Sequence, residues 1–393
     1  MKDAILSLED HERRKGLRTR KRRLADQRKF GQIVTAVLSD VLYSHFRGRA
    51  GGLRISRSKD HHAGQSRYGP SFGKTLPDVL DRLASPELGL ITQRIGRKSL
   101  GNPQEDRQTV IGLGPQLLSA IEGQGMTTDD FAANPTREVI ILKRSKGDYW
   151  DQGETIAYAD TEATMAYRRE VRAINQRLAE ADIECFAGDA SDRTLRRIFT
   201  EGRFDCGGRL FGGFWQPMSK ADRHENIFID GESVVELDYD QMSARILYGL
   251  AGVSAPSGDL YSVPGLEGHR EGVKKVLNAM LFAHQRPTRF PRGTRPLFPA
   301  RLTVAEVMDA IADYHGPLKD VFFCGMGHRA QFVESEIMVD VLLSLQQVDV
   351  TALPVHDAIW VPTSAKDIAR KAMLTAFMDH TGQPGSVSYG SIR

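Results

Sequence analysis

The chain has 393 residues, of which 40% are hydrophobic, 26% charged and 8% aromatic, with a formal net charge of +3. This length predicts two or three domains, and the composition excludes a disordered or fibrous protein. The longest apolar runs fall far short of the roughly 20 residues that a membrane span needs, and no signal-like segment opens the chain, so we expect neither a membrane protein nor a secreted one.

Three cysteines indicate the cellular compartment. Cys185, Cys206 and Cys324 are odd in number, widely spaced and form no CxxC pair. This pattern supports neither a disulfide framework nor a structural zinc site. A reducing, cytoplasmic environment is therefore expected.

The first thirty residues carry a net charge of +6, which leaves −3 for the rest of the chain. They contain eleven Lys or Arg against five Asp or Glu, and residues 13–23 have the sequence RRKGLRTRKRR. Such a cluster can bind phosphates by releasing their counterions, whereas a solvated arm is the alternative. The candidate DNA contacts in this arm are Arg20, Lys21, Arg22 and Arg23.

A small helix-and-strand domain is predicted after the arm. Residues 30–46 and 74–96 have helical apolar spacing, the second running into an extended stretch, and RQTVIGLG at 107–114 is a strand pattern. With the basic turn at 94–107, this order is typical of a winged helix, in which one helix enters a groove of the duplex and the wing touches the backbone. We predict a winged-helix-like DNA-binding domain over 1–135, with a small α+β domain without a nucleic-acid role as the alternative.

The next segment, 136–204, is predicted to connect this domain to the rest of the chain. REVIILKR at 137–144 predicts a strand, and residues 161–183 predict an amphipathic helix rich in Arg and Glu. RTLRRIFTEG at 193–202 predicts a short basic helix ended by Gly202. The amphipathic helix is expected to pack on a core, and a thumb-like helical region that grips a duplex is the functional alternative.

Two aspartates follow predicted strands that are far apart in the sequence. Asp238 ends the buried-strand pattern SVVEL, and Asp357 lies at the tip of a hairpin in VTALPVHDAIWVPTS. Aspartates at adjacent strand ends can hold two Mg²⁺ ions, with Mn²⁺ as the alternative metal, one ion activating an attacking hydroxyl and the other holding pyrophosphate. For either aspartate alone, a helix cap or a turn is the ordinary role.

A stripe of four side chains lies between the two aspartates. Arg270, Lys274, Asn278 and Phe282 recur every four residues and so share one helix face. The two cations suit the phosphates of a nucleotide, while the amide and the ring suit its sugar and base. A solvated basic face, with Phe282 in the core, is the alternative.

These segments resemble family A DNA polymerases, the bacterial polymerase I group, and also the phage-type single-subunit RNA polymerases. LDYDQMSARIL is similar to the first palm motif, RxxxKxxxNxxxF to the nucleotide-binding helix and VHDAIWV to the His-Asp third motif. GGRLFGGF resembles the family's Thr-Gly-Arg-Leu segment, and AQFVESEIM the helix before the third motif. The resemblance covers about residues 205–365, with the motifs in the family's order.

The resemblance implies roles at matching positions. Asp238 and Asp357 would bind the metal together with the backbone carbonyl of Tyr239, while Arg270 and Lys274 would hold the triphosphate. Phe282 would take the place of the family's Tyr beside the sugar and templating base, with Asn278 on the same face. The implied DNA contacts are Arg209 in the minor groove, Gln331 on the template and His356 near the turn or the primer terminus.

The chain departs from the family at positions that matter for the sugar. Ser243 stands where the DNA polymerases have a Glu that excludes the ribose 2′-hydroxyl, so the preference between dNTPs and NTPs stays open. Ala283 replaces a Gly and Ala358 replaces a Glu, and residues 286–299 predict an irregular loop rather than fingers helices. No segment resembles a proofreading exonuclease.

The predicted fold class is α+β: a winged-helix-like N-terminal module followed by a compact right-hand polymerase core with an antiparallel palm sheet, the palm and reduced fingers spanning 205–393. The predicted function is DNA synthesis for a plasmid, phage or other mobile element, with primer-template DNA and nucleoside triphosphates as partners and duplex DNA bound by the N-terminal domain. A primase or RNA polymerase using NTPs is one alternative. A catalytically silent replication initiator that binds DNA is the other.

Overall fold

The computed structural model describes residues 1–48, 51–58, 67–68, 72–97, 107–131, 137–147, 151 and 153–390. The chain divides into two compact units, Met1–Glu138 and Val139–Arg393, and the fold is mixed α+β. In the described segments no helix is both long and apolar enough to cross a bilayer. Cys185, Cys206 and Cys324 are free thiols.

The first unit packs helices against a small antiparallel sheet. In chain order its elements are α1 (Lys2–Arg14), α2 (Leu24–Phe46), β1 (Leu53–Ile55), α3 (Leu76–Leu83), β2 (Ile91–Arg94), β3 (Thr109–Leu113) and α4 (Pro115–Ile121). The strand order is β1-β3-β2. The predicted helices and the β2–β3 pair are present, whereas α1, β1 and α4 were not predicted. Most of the predicted basic turn, 98–106, lies outside the described residues.

The core of the first unit follows from the apolar spacing of α2. Phe30, Val34, Val37 and Leu38 recur at helical spacing and are buried against Leu80 of α3. The structure therefore contains the helix that the apolar spacing predicts for this segment.

The second unit contains more elements. They are β4 (Ile140–Leu142), α5 (Glu162–Glu180), β5 (Ile183–Cys185), β6 (Leu195–Phe199), β7 (Gly207–Gly212), α6 (Lys220–Asn226), β8 (Ile227–Ile229), β9 (Glu232–Tyr239), α7 (Met242–Leu250), α8 (Arg270–Phe282), α9 (Val304–Tyr314), α10 (Met326–Gln347), β10 (Leu353–Val355), β11 (Ala358–Pro362), α11 (Lys366–Thr381) and β12 (Val387–Tyr389).

One antiparallel sheet organises this unit. Its described strands run in the order β10-β11-β9-β8-β5, and β12 pairs with β9 beyond the end of β8. β9 is therefore central, and both β11 and β12 begin beside its C-terminal end. α10 packs on α5, α7, α8, α11 and β7, and β7 belongs to a separate sheet, so α10 connects that other sheet to the helices that follow β9.

A second sheet corrects one sequence prediction. Residues 195–199 form strand β6, parallel to β4 and antiparallel to β7, and not the short basic helix predicted for 193–202. Burial alternates along β6, and Arg197 is fully buried, where it donates to the carbonyl of Gly208 and the hydroxyl of Ser335. The arginine belongs to the core because partners distant in sequence satisfy its guanidinium.

α5 packs on the core through one face. Val171, Ile174 and Leu178 are buried, and Thr161 caps the helix by accepting a hydrogen bond from the amide of Thr164. This packing agrees with the ordinary interpretation of an amphipathic helix.

Candidate functional site

The sheet brings the two predicted aspartates to neighbouring strand ends. β9 pairs with β11 so that Asp238 lies opposite Ala358, and the amide of Tyr239 donates to the carbonyl of Asp357 across 3.4 Å. Between β10 and β11, His356 adopts a left-handed conformation with φ 58°, which turns the chain back sharply. The two carboxylates therefore belong to one small region of the sheet.

Asp238 lies in an electrostatically unfavourable position. It is half-buried, and within the described residues its Oδ1 is buried without a hydrogen-bond partner. Burial, together with the nearby negative charges of Asp357 and Glu236, raises the pKa of Asp238 to about 7. Bound cations would relieve both the repulsion and the missing contact.

The donor set fits a hard divalent cation. Carboxylate oxygens are the ligands that Mg²⁺ prefers, and the unpartnered oxygen of Asp238 is available for one. Among the described residues, no three His, Cys, Asp or Glu side chains converge as a metal-binding group. The hydroxyl of Tyr239 donates to the carbonyl of Met373 across 2.6 Å, which fixes the end of β9 whose backbone carbonyl is the further predicted ligand.

Arg209, the predicted minor-groove contact, is held by a buried carboxylate. On β7, its Nε lies 2.5 Å from Oε1 of Glu334 and its Nη2 lies 2.9 Å from Oε2. Glu334 is fully buried in α10; burial raises its pKa and Arg209 counteracts part of that rise. The charge of Asp357 acts on both residues, so this pair lies near the carboxylates. Gln331, three residues before Glu334, is half-buried.

The predicted stripe lies on α8. Arg270 and Lys274 are exposed, whereas Asn278 and Phe282 are half-buried, and the ring of Phe282 meets His328 edge-on with centroids 4.9 Å apart. The cationic end of the stripe is therefore the part most accessible to a ligand.

Tyr261 lies beside the cations of α8, and the charge of Asp357 also acts on it. The guanidinium of Arg270 lies 5.3 Å from the centroid of its ring and the ammonium of Lys274 lies 6.0 Å from it. Burial raises the pKa of Tyr261 to about 12; Arg270 lowers it and Asp357 raises it further. Arg270 and Asp357 thus both act electrostatically on this one aromatic side chain.

Ser243 lies in the first turn of α7, directly after the aspartate-bearing strand, and is half-buried. Asp240, in the same motif, accepts hydrogen bonds from the hydroxyls of Ser386 and Ser388 across 2.7 and 2.9 Å. The carboxylate of Asp240 is therefore hydrogen-bonded to serines at and just before β12. The buried Oδ1 of Asp238, by contrast, has no hydrogen-bond partner among the described residues.

The sequence did not identify Glu334, Tyr261 or Asp259 as site residues. Glu334 pairs with an arginine 125 positions away, and Asp259 pairs with Arg270 across a loop. No periodicity or motif in the sequence relates such positions, so only the tertiary structure shows that they belong to the site.

One candidate DNA contact in the first unit needs correction. Arg22 is 8% exposed: it donates to Glu12 across 2.7 Å and its guanidinium lies 3.5 Å from the centroid of Phe30. It is part of the packing of α1 on α2. Arg20, Lys21 and Arg23 are exposed and stay candidate phosphate contacts.

The charge of α3 does not suit a helix that enters a duplex groove. Of its residues, the exposed ones are Asp78 and Asp81, and Asp81 binds Arg57 across 2.6 and 2.7 Å. Carboxylates facing the phosphates would repel them. The surface of α3 therefore does not support α3 as the helix of a winged helix that enters the groove.

The sheet of the first unit carries exposed arginines instead. Arg97 and Arg107 lie opposite each other and exchange two backbone hydrogen bonds of 2.9 Å, while Arg54 and Arg94 flank Val110 on neighbouring strands. All four are exposed. Like charges directly across a strand pair repel, and a bound phosphate would relieve that repulsion.

Comparisons with known proteins give little further guidance. No protein-family model and no curated protein matches the chain. Among solved structures, it is similar to the POL domain of Pol1 from M. smegmatis in complex with DNA primer-template and dNTP, at 14% identity and a TM-score of 0.34. The match covers 58% of this chain and 51% of that chain, so the chain spans about half the length of that domain. A likeness of this size carries no functional argument, and the site is interpreted from its own residues.

Proposed function

We propose that the protein is a template-directed nucleotidyltransferase, a small DNA polymerase related to family A, which adds nucleotides to a 3′-hydroxyl. The observation that supports this most is the pairing of Asp238 and Asp357 at neighbouring strand ends, with a buried oxygen of Asp238 left unpartnered. A purely structural sheet end has little use for two adjacent carboxylates.

Each group near the pair has a role in this proposal. Asp238 and Asp357, with the carbonyl of Tyr239, would hold two Mg²⁺ ions, which would supply charge neutralisation for the 3′-oxygen and the leaving pyrophosphate. Arg270 and Lys274 bind the triphosphate, and Phe282 with Asn278 borders the sugar and base. Nucleotidyl transfer depends mainly on positioning and charge, so these residues make a sufficient set.

The DNA partner is bound by two regions in this proposal. Arg209, with Gln331 and His356, contacts the primer-template, and the first unit binds duplex DNA through exposed basic residues of its arm and sheet. In this proposal the unit is winged-helix-like, and its sheet rather than α3 faces the phosphates. A polymerase with its own DNA-binding unit suits replication of a plasmid, phage or other mobile element.

One observation favours a second candidate, a primase or RNA polymerase. Ser243 is a small side chain directly after the aspartate-bearing strand, and a small residue leaves room for a ribose 2′-hydroxyl. The same residues would perform the same transfer with NTPs.

Primer extension tests the proposal. The full chain is incubated with a labelled primer-template, Mg²⁺ and either dNTPs or NTPs, and we expect template-dependent elongation in at least one pool. Unprimed synthesis with NTPs would favour the primase. DNA binding without synthesis in either pool, with Mg²⁺ or Mn²⁺, would overturn the polymerase assignment and leave the silent initiator.

A further inference from the structure

The loop between α7 and α8 contains a carboxylate that serves several donors at once. Asp259 accepts hydrogen bonds from Nε of Arg270 at 2.5 Å, from the side-chain amide of Gln241 at 3.0 Å and from the backbone amide of Tyr261 at 3.1 Å. It is therefore far more constrained than one half of an ordinary surface ion pair, which contributes little.

Further contacts fix this loop on both sides. The side-chain oxygen Oε1 of Gln241 accepts from the backbone amide of Leu260 at 2.9 Å, and Nε2 of the buried His315 lies 3.0 Å from the backbone carbonyl oxygen of Leu260. Gln241 follows Asp238 by three residues and is the N-cap residue of α7, in a left-handed conformation with φ 58°. The loop thus ties the start of α8 to the end of the strand that carries Asp238.

The orientation of Arg270 follows from this arrangement. Asp259 engages mainly the Nε edge of the guanidinium, since Nη2 is 3.5 Å from its second oxygen, and the face of the group lies over Tyr261. The side chain stays 48% exposed. A guanidinium has five N–H donors, so beyond these long contacts of 3.5 Å the terminal nitrogens keep donors for a phosphate.

We propose that Asp259 is a positioning residue, which fixes Arg270 through Nε so that the terminal nitrogens meet the triphosphate, and which couples this arginine to the aspartate-bearing strand through Gln241. This inference rests on the proposed function. A flexible arginine would lose side-chain entropy on binding phosphate. Because Asp259 already orders Arg270 in the free protein, this entropy is lost before the ligand binds and no longer weakens binding.

The decisive experiment compares Asp259→Ala with Glu271→Ala. Glu271 is a matched control, because its carboxylate also faces Arg270, 3.5 Å from Nη1, but is 65% exposed and belongs to the same helix. We expect Asp259→Ala to raise the nucleotide KM about tenfold with a smaller change in kcat, and Glu271→Ala to change KM less than about twofold. Asp259→Asn, which keeps an acceptor oxygen, should recover part of the loss.

A double-mutant cycle with Arg270→Ala identifies the route of the effect. If Asp259 acts through Arg270, then Asp259→Ala adds nothing to the KM of the Arg270→Ala protein. Equal effects in both backgrounds, or an equal effect of Glu271→Ala, would overturn the inference.

Equilibrium binding of inorganic tripolyphosphate and of dATP separates this inference from the polymerase proposal. We expect Asp259→Ala to weaken the binding of both ligands by the same factor, since Arg270 would contact only their phosphates. Normal tripolyphosphate binding by Asp259→Ala would overturn the positioning role. If Asp259→Ala binds tripolyphosphate more weakly than wild type does, but wild type never extends a primer, the positioning role is supported and the polymerase proposal alone is overturned.

Discussion

The backbone amide of Tyr239 donates a hydrogen bond to the carbonyl oxygen of Asp357 across 3.4 Å. This contact joins the end of β9 to the hairpin turn, although α7 to α10 lie between the two segments in the sequence. Asp238, one residue before Tyr239, is therefore fixed beside Asp357 by the sheet itself. Side chains held by backbone pairing keep their separation without further contacts, which suits a site that must bind a charged ligand repeatedly.

The first prediction concerns these carboxylates. Asp238→Ala and Asp357→Ala should each lower the rate of nucleotide addition by about 10²-fold or more, because removal of a charge-stabilising group in a preorganised site has that size of effect. Single-turnover primer extension measures the rate, and DNA binding should persist. Asp230→Asn is the matched control: Asp230 is exposed in the β8–β9 turn at φ 53°, a conformation that Asn tolerates. Wild-type extension by either folded alanine variant would contradict the assignment.

The second prediction is a pH dependence of stability. Burial and the charge of Asp357 raise the pKa of Asp238 to about 7 in the folded protein, so the folded state binds this proton more tightly than the unfolded chain. Its stabilising contribution is complete below about pH 4, the ordinary range of an aspartate, and is lost as the pH rises through 7. Without metal, the free energy of unfolding should fall by about 2 to 4 kcal/mol over this interval.

Asp238→Asn provides the comparison for that measurement. The amide does not ionise, so urea denaturation in a chelator should show a weaker pH dependence and a more stable protein than wild type at pH 8. Identical pH dependence in the two proteins would show that Asp238 does not carry the effect.

Local patterns were sufficient to predict several elements of the fold. The apolar spacing in α2 and α5, the four-residue spacing of the stripe in α8 and the strand-turn-strand pattern around Asp357 correspond to elements of the structure as expected. The spacing of residues along each of these segments shows which face is buried, and that spacing can be read from the segment alone.

The failure at β6 shows why other elements were not predictable. RTLRRIF has three arginines, which suggest a solvated surface, but Arg197 is buried among Gly208, Ser335 and Glu336. The last two partners lie 138 and 139 positions away. The same limit applies to the site: Asp238 and Asp357 belong to motifs, whereas Glu334 and Asp259 gain their significance only from contacts that the fold creates.

The third prediction distinguishes two adjacent lysines. Lys274 lies 6.0 Å from the ring of Tyr261, whereas Lys275 points about 100° further round α8. Lys274→Ala should raise the nucleotide KM and lower kcat, since a phosphate contact acts in both the ground and the transition state. Steady-state primer extension with Lys275→Ala as the control measures the difference. A larger effect at Lys275 would show that the wrong face of the helix was assigned to the nucleotide.

The fourth prediction concerns the sheet of the first unit. Replacing Arg94, Arg97 and Arg107 together by Ala should weaken duplex binding and reduce the slope of log K against log salt by roughly 2 to 3, because each phosphate contact contributes about 0.9. Arg57→Ala is the control, since Arg57 is occupied by Asp81 and Gln93. Removal of residues 1 to about 135 should flatten the slope further. An unchanged slope in the triple variant would show that this sheet does not contact DNA.

The last prediction concerns the sugar. Ser243 is half-buried in the first turn of α7 and is three heavy atoms shorter than the Glu of the resembling DNA polymerases, so it leaves space beside the sugar. Phe282 could fill part of that space, but its ring has no hydroxyl with which to recognise ribose. We therefore expect wild type to use dATP and ATP within a modest ratio of kcat/KM on one template, and Ser243→Glu to shift that ratio toward dATP. Ser243→Ala, which keeps the small volume, should leave the ratio unchanged. If wild type already rejects ATP by several orders of magnitude, Ser243 does not control the choice of sugar and the primase alternative is excluded.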